Sequence, residues 1–342
     1  MIKYLFYSGP YTYAEWILPI YYKLDEPKLY ITNCEYTRKE IESRNMPCSD
    51  IPNNEYIKSI YENNNIECTV FGDEDMSQYI YQYVILKKAR SLCLGHGFNF
   101  YERNRIEQKV DWNSYCYNNE NINWLIDKGL SPDKFILTGS AKHDILYDKQ
   151  WLHENRIEKL YKQYNVIDKT KEMILLAPHT FGEIITKENS YELLFAALSK
   201  TGYNVFIKLH PSEYYGEQII KLKDLCKKHS NIYIADDPGI LKFMVAASCY
   251  VGNKSSSIFE FLFFEKPIVL IGDHKTYLGD NEPFRRINLN EITNICNVIE
   301  EEKNNSFRKN ILKFYKDQYF TTKDGNASER YIDIIKKIGK SK

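Results

Sequence analysis

The chain is 342 residues long, 43% hydrophobic and 27% charged, with 46 Lys plus Arg balanced by 46 Asp plus Glu. That much apolar material excludes a disordered chain, and the length exceeds what one hydrophobic core usually organises, so two domains of roughly 150–170 residues are expected. A net charge of zero excludes the broad positive field that draws a protein onto nucleic acid, and no nucleic-acid partner is expected.

The first residues hold Lys3 but no continuous apolar stretch and no small-residue cleavage site, so a signal peptide is not expected. No later stretch reaches membrane-spanning length without charges. The eight cysteines include no CxxC pair, and Cys68 and Cys249 lie in apolar runs as buried thiols would. A reducing cytoplasm is the expected setting. The lysine-rich end, residues 336–342, reads as a solvated, frayed tail.

Short β-branched and aromatic runs alternate with longer amphipathic segments, the pattern of parallel sheets wrapped by helices. In the first half, strands are predicted at residues 2–7, 28–32, 66–71, 90–94, 111–117 and 134–138, with helices at 13–23, 54–63, 76–88 and 121–128. Residues 149–168 are charged, lack strand character and read as helix and linker, which puts a boundary near 150. The pattern then restarts, with strands at 173–177, 204–209, 232–235, 249–252 and 267–271 and helices at 189–200, 216–229, 238–247 and 256–265. Helices at 291–301 and 306–318 close the second half, and a last one at 327–338 is expected to reach back to the first. The expected fold class is α/β, with two Rossmann-like, doubly wound parallel-sheet domains at 1–150 and 151–342.

In open parallel sheets, ligands bind beyond the carboxyl ends of the strands, where loops and helix N-termini converge. At Leu94-Gly95-His96-Gly97 a strand runs into a histidine between two glycines, which permit a tight turn and close approach by a ligand. An imidazole there, titrating near ~6.5 when unperturbed, suits a general base; the alternative is a turn histidine bonded to backbone. At Lys208-Leu209-His210-Pro211, alternation puts Lys208 and His210 on one face, where both suit phosphate oxygens unless they merely flank an edge strand.

At Gly252-Asn253-Lys254-Ser255-Ser256-Ser257 a strand enters an apolar helix through three serines, whose hydroxyls and free N–H groups suit phosphate, whereas an N-cap needs only one. Glu260 in that helix reads either as a capping-box partner or as an acceptor for ribose hydroxyls. The cluster Thr138-Gly139-Ser140-Ala141-Lys142-His143-Asp144 reads as mainly structural, with Gly139 and Ser140 as occasional donor contacts. His179, after Ala177-Pro178 at the end of the second half's first strand, is a further donor-side candidate. Walker A, GxGxxG, HExxH and GxSxG sequences are absent, and Asp236-Asp237 reads as a solvated turn, so no metal or other cofactor is expected.

Taken together, Gly95-His96-Gly97, Thr138-Gly139-Ser140-Ala141-Lys142-His143-Asp144-Ile145-Leu146, Leu175-Leu176-Ala177-Pro178, Lys208-Leu209-His210-Pro211, Ser255-Ser256-Ser257-Ile258-Phe259-Glu260-Phe261 and Lys266-Pro267-Ile268-Val269-Leu270 form an ordered set. In order and spacing, over about residues 90–272, they resemble the CDP-glycerol glycerophosphotransferase family, the primases and polymerases of teichoic acids and related capsules. The resemblance implies a GT-B fold, two Rossmann-like domains facing a cleft, with no required metal. It implies catalytic roles for His96, acting on the acceptor side between Gly95 and Gly97, and for His210, which would engage the donor pyrophosphate. Ser255, Ser256 and Ser257 would hold the donor phosphate or the leaving nucleotide.

The implied partners are a nucleotide-activated polyol, CDP-glycerol or CDP-ribitol, and a glycan or lipid-linked acceptor at the cytoplasmic membrane face, with peripheral membrane contact following from the acceptor. The chain departs from the family pattern at Asn253-Lys254, where Asp-Tyr is usual, and at Phe98-Asn99-Phe100-Tyr101, where Thr-Pro-Leu-Lys often follows the His-Gly. The His-Pro and serine pattern is also similar to that of capsule sialyltransferases. The Thr-Gly turn and Lys-Pro-Ile-Val-Leu strand are similar to those of UDP-N-acetylglucosamine 2-epimerases. A nucleotide-sugar transferase, an epimerase and a binding scaffold without turnover therefore stand as alternatives.

Overall fold

A computed structural model describes residues 1–9, 11–72, 90–94, 112–115, 126, 129, 131–154, 157–179, 190–210, 217–237, 239–273, 276 and 282–340. The helix expected at 76–88 and the Gly95-His96-Gly97 turn lie outside the described residues, as does nearly all of the helix expected at 121–128. The chain folds as two compact units: Lys149–Asp317 forms the second, and Gln318–Lys342 joins the first with Met1–His96 and Phe100–Asp148.

The first unit carries a seven-stranded parallel sheet: β1 Tyr4–Ser8, β2 Lys28–Thr32, β3 Cys48–Ser49, β4 Cys68–Phe71, β5 Ser91–Cys93, β6 Trp112–Tyr115 and β7 Phe135–Leu137, in the order β3-β2-β1-β4-β5-β6-β7. Phe6 is in register with Tyr30 on one side and Val70 on the other. Strands covered on both faces bury every residue, as β1 and β4 do, so they read as unbroken apolar runs. Helices α1 Tyr11–Lys23, α2 Glu35–Ser43 and α3 Asn54–Asn63 accompany them, and the Asn53 side chain accepts from the Tyr56 N–H at 2.9 Å to start α3. Neither α2 nor β3 was predicted. In α2 only Thr37 and Ile41 are buried, and β3 is two residues long, so neither leaves a periodic signal.

The C-terminal helix, Ala327–Lys340, packs Tyr331, Ile332, Ile334, Ile335 and Ile338 into the core formed with Ile17, Tyr21 and Val70 of the first unit. It is fixed at both ends. The Asp144 carboxylate accepts from the N–H groups of Ala327 and Ser328 at 3.0 and 2.7 Å, and the Arg90 guanidinium donates to the carbonyls of Ile338 and Gly339 at 2.8 and 2.9 Å. The lysine-rich end is thus helical as far as Lys340, two residues beyond the helix expected at 327–338, and not the frayed tail expected from 336, because buried isoleucines separate its lysines.

In the second unit a six-stranded parallel sheet contains β8 Met173–Leu176, β9 Asn204–Ile207, β10 Ile232–Ile234, β11 Cys249–Gly252, β12 Ile268–Ile271 and β13 Arg285–Ile287, in the order β10-β9-β8-β11-β12-β13. Its helices are α4 Lys149–Glu154, α5 Ile157–Gln163, α6 Ser190–Ser199, α7 Glu217–Cys226, α8 Leu241–Ala246, α9 Ser257–Phe261, α10 Ile295–Asn304 and α11 Ser306–Tyr319. The helix expected at 256–265 is shorter: it tightens into a 3-10 turn at Leu262–Phe264, and Glu265 stops it at a left-handed φ of 54°. The helix expected at 291–301 likewise begins as a 3-10 turn, Leu289–Asn294. Strand β13 escaped prediction because two of its three residues are arginines. The Glu282 carboxylate accepts from Arg286 Nε at 2.7 Å, and the Gly272 carbonyl accepts from Nη1 at 2.7 Å.

The chain proceeds outward from β8 through β9 to β10, then returns to pair β11 on the other side of β8. The strand order reverses between β8 and β11, and the crevice beyond their carboxyl ends is where such sheets receive ligands.

Candidate active site

Three strand ends meet at this crevice. Tyr250 of β11 is fully buried, and its Oη bonds the Ala177 carbonyl at 2.6 Å and the Ser257 Oγ at 2.7 Å. Ser257 Oγ in turn lies 2.8 Å from Ser255 Oγ. Because a carbonyl only accepts, the phenol hydrogen goes to Ala177; Ser257 must then donate to Tyr250, and Ser255 to Ser257. Burial pushes the Tyr250 phenol well above its ordinary pKa, which keeps it a neutral donor.

The hydroxyl hydrogens of Ser255 and Ser257 are therefore engaged inside the protein. Ser256 alone of the three has a hydroxyl with no partner among the described residues, and it is half-buried. Ser256 sits at the N-cap of α9 with helical backbone angles and makes no side-chain cap bond, so Glu260 is not the partner in a capping box. The cap-like contact comes from Ser255, whose Oγ accepts from the Ser257 N–H at 3.3 Å. Glu260 is buried on α9.

The end of β8 is tied to β11 a second time. Asn253, wholly buried, accepts the His179 N–H through Oδ1 at 2.7 Å. Gly252 lets the strands close up: a Cβ there would fall 2.6 Å from the Tyr250 ring and 3.0 Å from the Ala177 carbonyl. His210, half-buried at the end of β9, brings its ring to a centroid distance of 5.1 Å from the His179 ring, at 44°. Lys208 is buried, and β9 lies between β10 and β8, so the edge-strand explanation for Lys208 and His210 fails.

Gly139 and Ser140 have other work in the first unit. Gly139 has φ +83°, and a Cβ there would lie 2.0 Å from Thr322 Oγ1. Ser140 Oγ lies 2.5 Å from His143 Nδ1, and the His143 ring is buried between Trp16 and Phe320, where desolvation holds its pKa well below the usual imidazole range. The Lys142 ammonium makes a buried 2.9 Å ion pair with Glu15, and Arg330 Nε donates to the Thr138 carbonyl at 2.6 Å. With Asp144 capping the C-terminal helix, the cluster seats the chain's own end, the structural role expected of it.

The second unit thus assembles His179, His210 and Ser256 around a strand-order reversal, a placement suited to a phosphorylated ligand. A family profile described as CDP-glycerol:poly(glycerophosphate) glycerophosphotransferase matches residues 102–337. The chain belongs to that family. The activity named for the family is transfer of glycerophosphate from CDP-glycerol, and the chain is a transferase of that family.

No curated protein matches the chain by sequence. Among solved structures, it is similar to UDP-GlcNAc 2-epimerase from Neisseria meningitidis bound to UDP-GlcNAc, at 16% identity and a TM-score of 0.71 over 98% of this chain and 100% of that one. It is equally similar to the wall teichoic acid polymerase TagF, at 13% identity and a TM-score of 0.71 over 99% and 89%. A glycosyltransferase from Rickettsia africae follows at 14% identity and a TM-score of 0.60 over 100% and 99%. At these identities the likeness is one of fold, two parallel-sheet α/β domains of GT-B type. Among the described residues, no helix is long and apolar enough to cross a membrane.

Proposed function

We propose that the second unit holds the diphosphate of CDP-glycerol at the ends of β8, β9 and β11, and that His96 is the general base toward the acceptor hydroxyl. The approach of the His210 and His179 rings, with the His179 N–H held by Asn253, carries the donor half of this reading. The acceptor half rests on the resemblance of Gly95-His96-Gly97 to the family's His-Gly motif, which precedes the residues matched by the family profile, 102–337.

In the reaction, an acceptor oxygen attacks the phosphorus that bears glycerol and the bond from that phosphorus to the bridging oxygen breaks. CMP leaves, and His96 takes the hydroxyl proton. Imidazolium and hydroxyl donors steady the charge that gathers on the CMP phosphate. No bound cofactor is needed in this scheme. The acceptor is a lipid-linked saccharide or growing polymer at the cytoplasmic membrane face, and it brings the enzyme into peripheral contact with the membrane.

The test is His96→Ala with CDP-glycerol and a glycan acceptor. Transfer is expected to slow by ~10²–10⁴, the usual cost of losing a general base, while CDP binds almost as in the wild type. The wild-type rate should fall on acidification as the general base takes up a proton. Undiminished transfer by a folded His96→Ala protein refutes the base. Turnover of UDP-N-acetylglucosamine in place of CDP-glycerol refutes the donor.

A further inference from the structure

The family motif accounts for a histidine at the end of β9, but the structure puts a second imidazole beside it. We infer that His179 is the other half of a two-histidine grip on the donor's diphosphate, an inference that rests on the donor site proposed above.

Its backbone is held firmly. The His179 N–H is fixed by Asn253 at 2.7 Å, and the Ala177 carbonyl, on the other side of Pro178, is fixed by Tyr250 at 2.6 Å. Both partners come from the buried end of β11, so the turn carrying the imidazole is clamped to the sheet on each side of a proline, whose own φ is already fixed. A side chain on so rigid a base loses little entropy when it binds.

The two rings are 5.1 Å apart at 44°, neither stacked face to face nor directed away from each other. From neighbouring strands they can aim one N–H each at oxygens of adjacent phosphoryl groups. Each such bond strengthens when the imidazole carries a proton. A plain ring contact would satisfy packing, but it gives no reason to place two titratable rings at the crevice where the strand order reverses.

The residues next to the two histidines along the chain are cationic or neutral, which suits an anion. Lys208 precedes His210 by two residues and Lys254 follows Asn253, while the position touching His179 is a neutral Asn, not an Asp.

The test is calorimetric titration of the full-length protein with CDP and with cytidine, in EDTA, for the wild type, His179→Gln, His210→Gln and the double variant, with thermal unfolding as the check on folding. Loss of one charge-assisted bond should weaken CDP about tenfold in each single variant and leave cytidine unchanged. The double variant should lose less than the product of the two, since both rings grip one ligand. A folded His179→Gln protein that binds CDP like the wild type, while His210→Gln does not, overturns the grip and keeps the donor site. If neither variant weakens CDP, or the wild type does not bind it, the donor-site reading fails as well. CDP affinity that disappears in EDTA replaces the direct grip with a bridging metal and also overturns it.

Discussion

The end of β7 in the first unit and the ends of β8, β9 and β11 in the second carry the same materials: a glycine, serines, histidines and lysines just beyond parallel strands. At β7 the chain supplies its own partners. Ser140 meets His143, Lys142 meets Glu15, and Asp144 meets the N-terminus of the last helix. In the second unit the inward-facing hydroxyls are tied down through Tyr250, while His179, His210 and Ser256 stay half-buried at the crevice. Residue type does not separate a structural cluster from a binding one. The first cluster is taken up by residues from distant parts of the chain, Glu15 and Ser328 among them.

Substitutions in the first cluster should affect stability and leave the donor alone. The largest effect is expected for Asp144→Ala, which removes two charge-assisted bonds to the helix N-terminus. Unfolding free energy, followed by urea denaturation, should drop by about 1–3 kcal/mol with CDP affinity unchanged. A loss of CDP affinity at undiminished stability would reverse the assignment and return this cluster to the donor site.

A smaller effect is expected from His143 as pH is lowered. Its folded pKa is depressed by burial, so the unfolded chain binds the proton first. The stability it contributes is complete above the unfolded value near ~6.5 and is lost as pH falls toward the lower folded value, by at most about 1.4 kcal/mol per pH unit. Replacing His143 by Gln should flatten this part of the stability curve between mildly acidic and neutral pH. An identical acid limb in wild type and variant would show that His143 is not a neutral buried ring.

The second unit was easier to read from sequence, for a physical reason. Strands covered on both faces are continuous apolar runs, and 249–252 matches β11 to the residue, as 28–32 matches β2 in the first unit. His210 and the three serines stood out because they follow such runs. Two things could not be seen there. The role of Asp144 depends on Ser328, 184 residues further along, and no local pattern reports a partner at that distance. Three serines in a row also give no sign that Tyr250 draws the hydroxyls of two of them inward, leaving Ser256. The approach of the His179 ring to His210 likewise depends on the pairing of β8 with β9, not on the spacing of 31 positions between them.

The donor site of the second unit is tested most directly by calorimetric titration of His210→Ala with CDP. One charge-assisted hydrogen bond to phosphate is worth roughly 1.5–3 kcal/mol, so affinity should fall at least about tenfold in a protein whose thermal unfolding matches the wild type. Unchanged CDP affinity in that folded variant would contradict the account and remove His210 from the donor site.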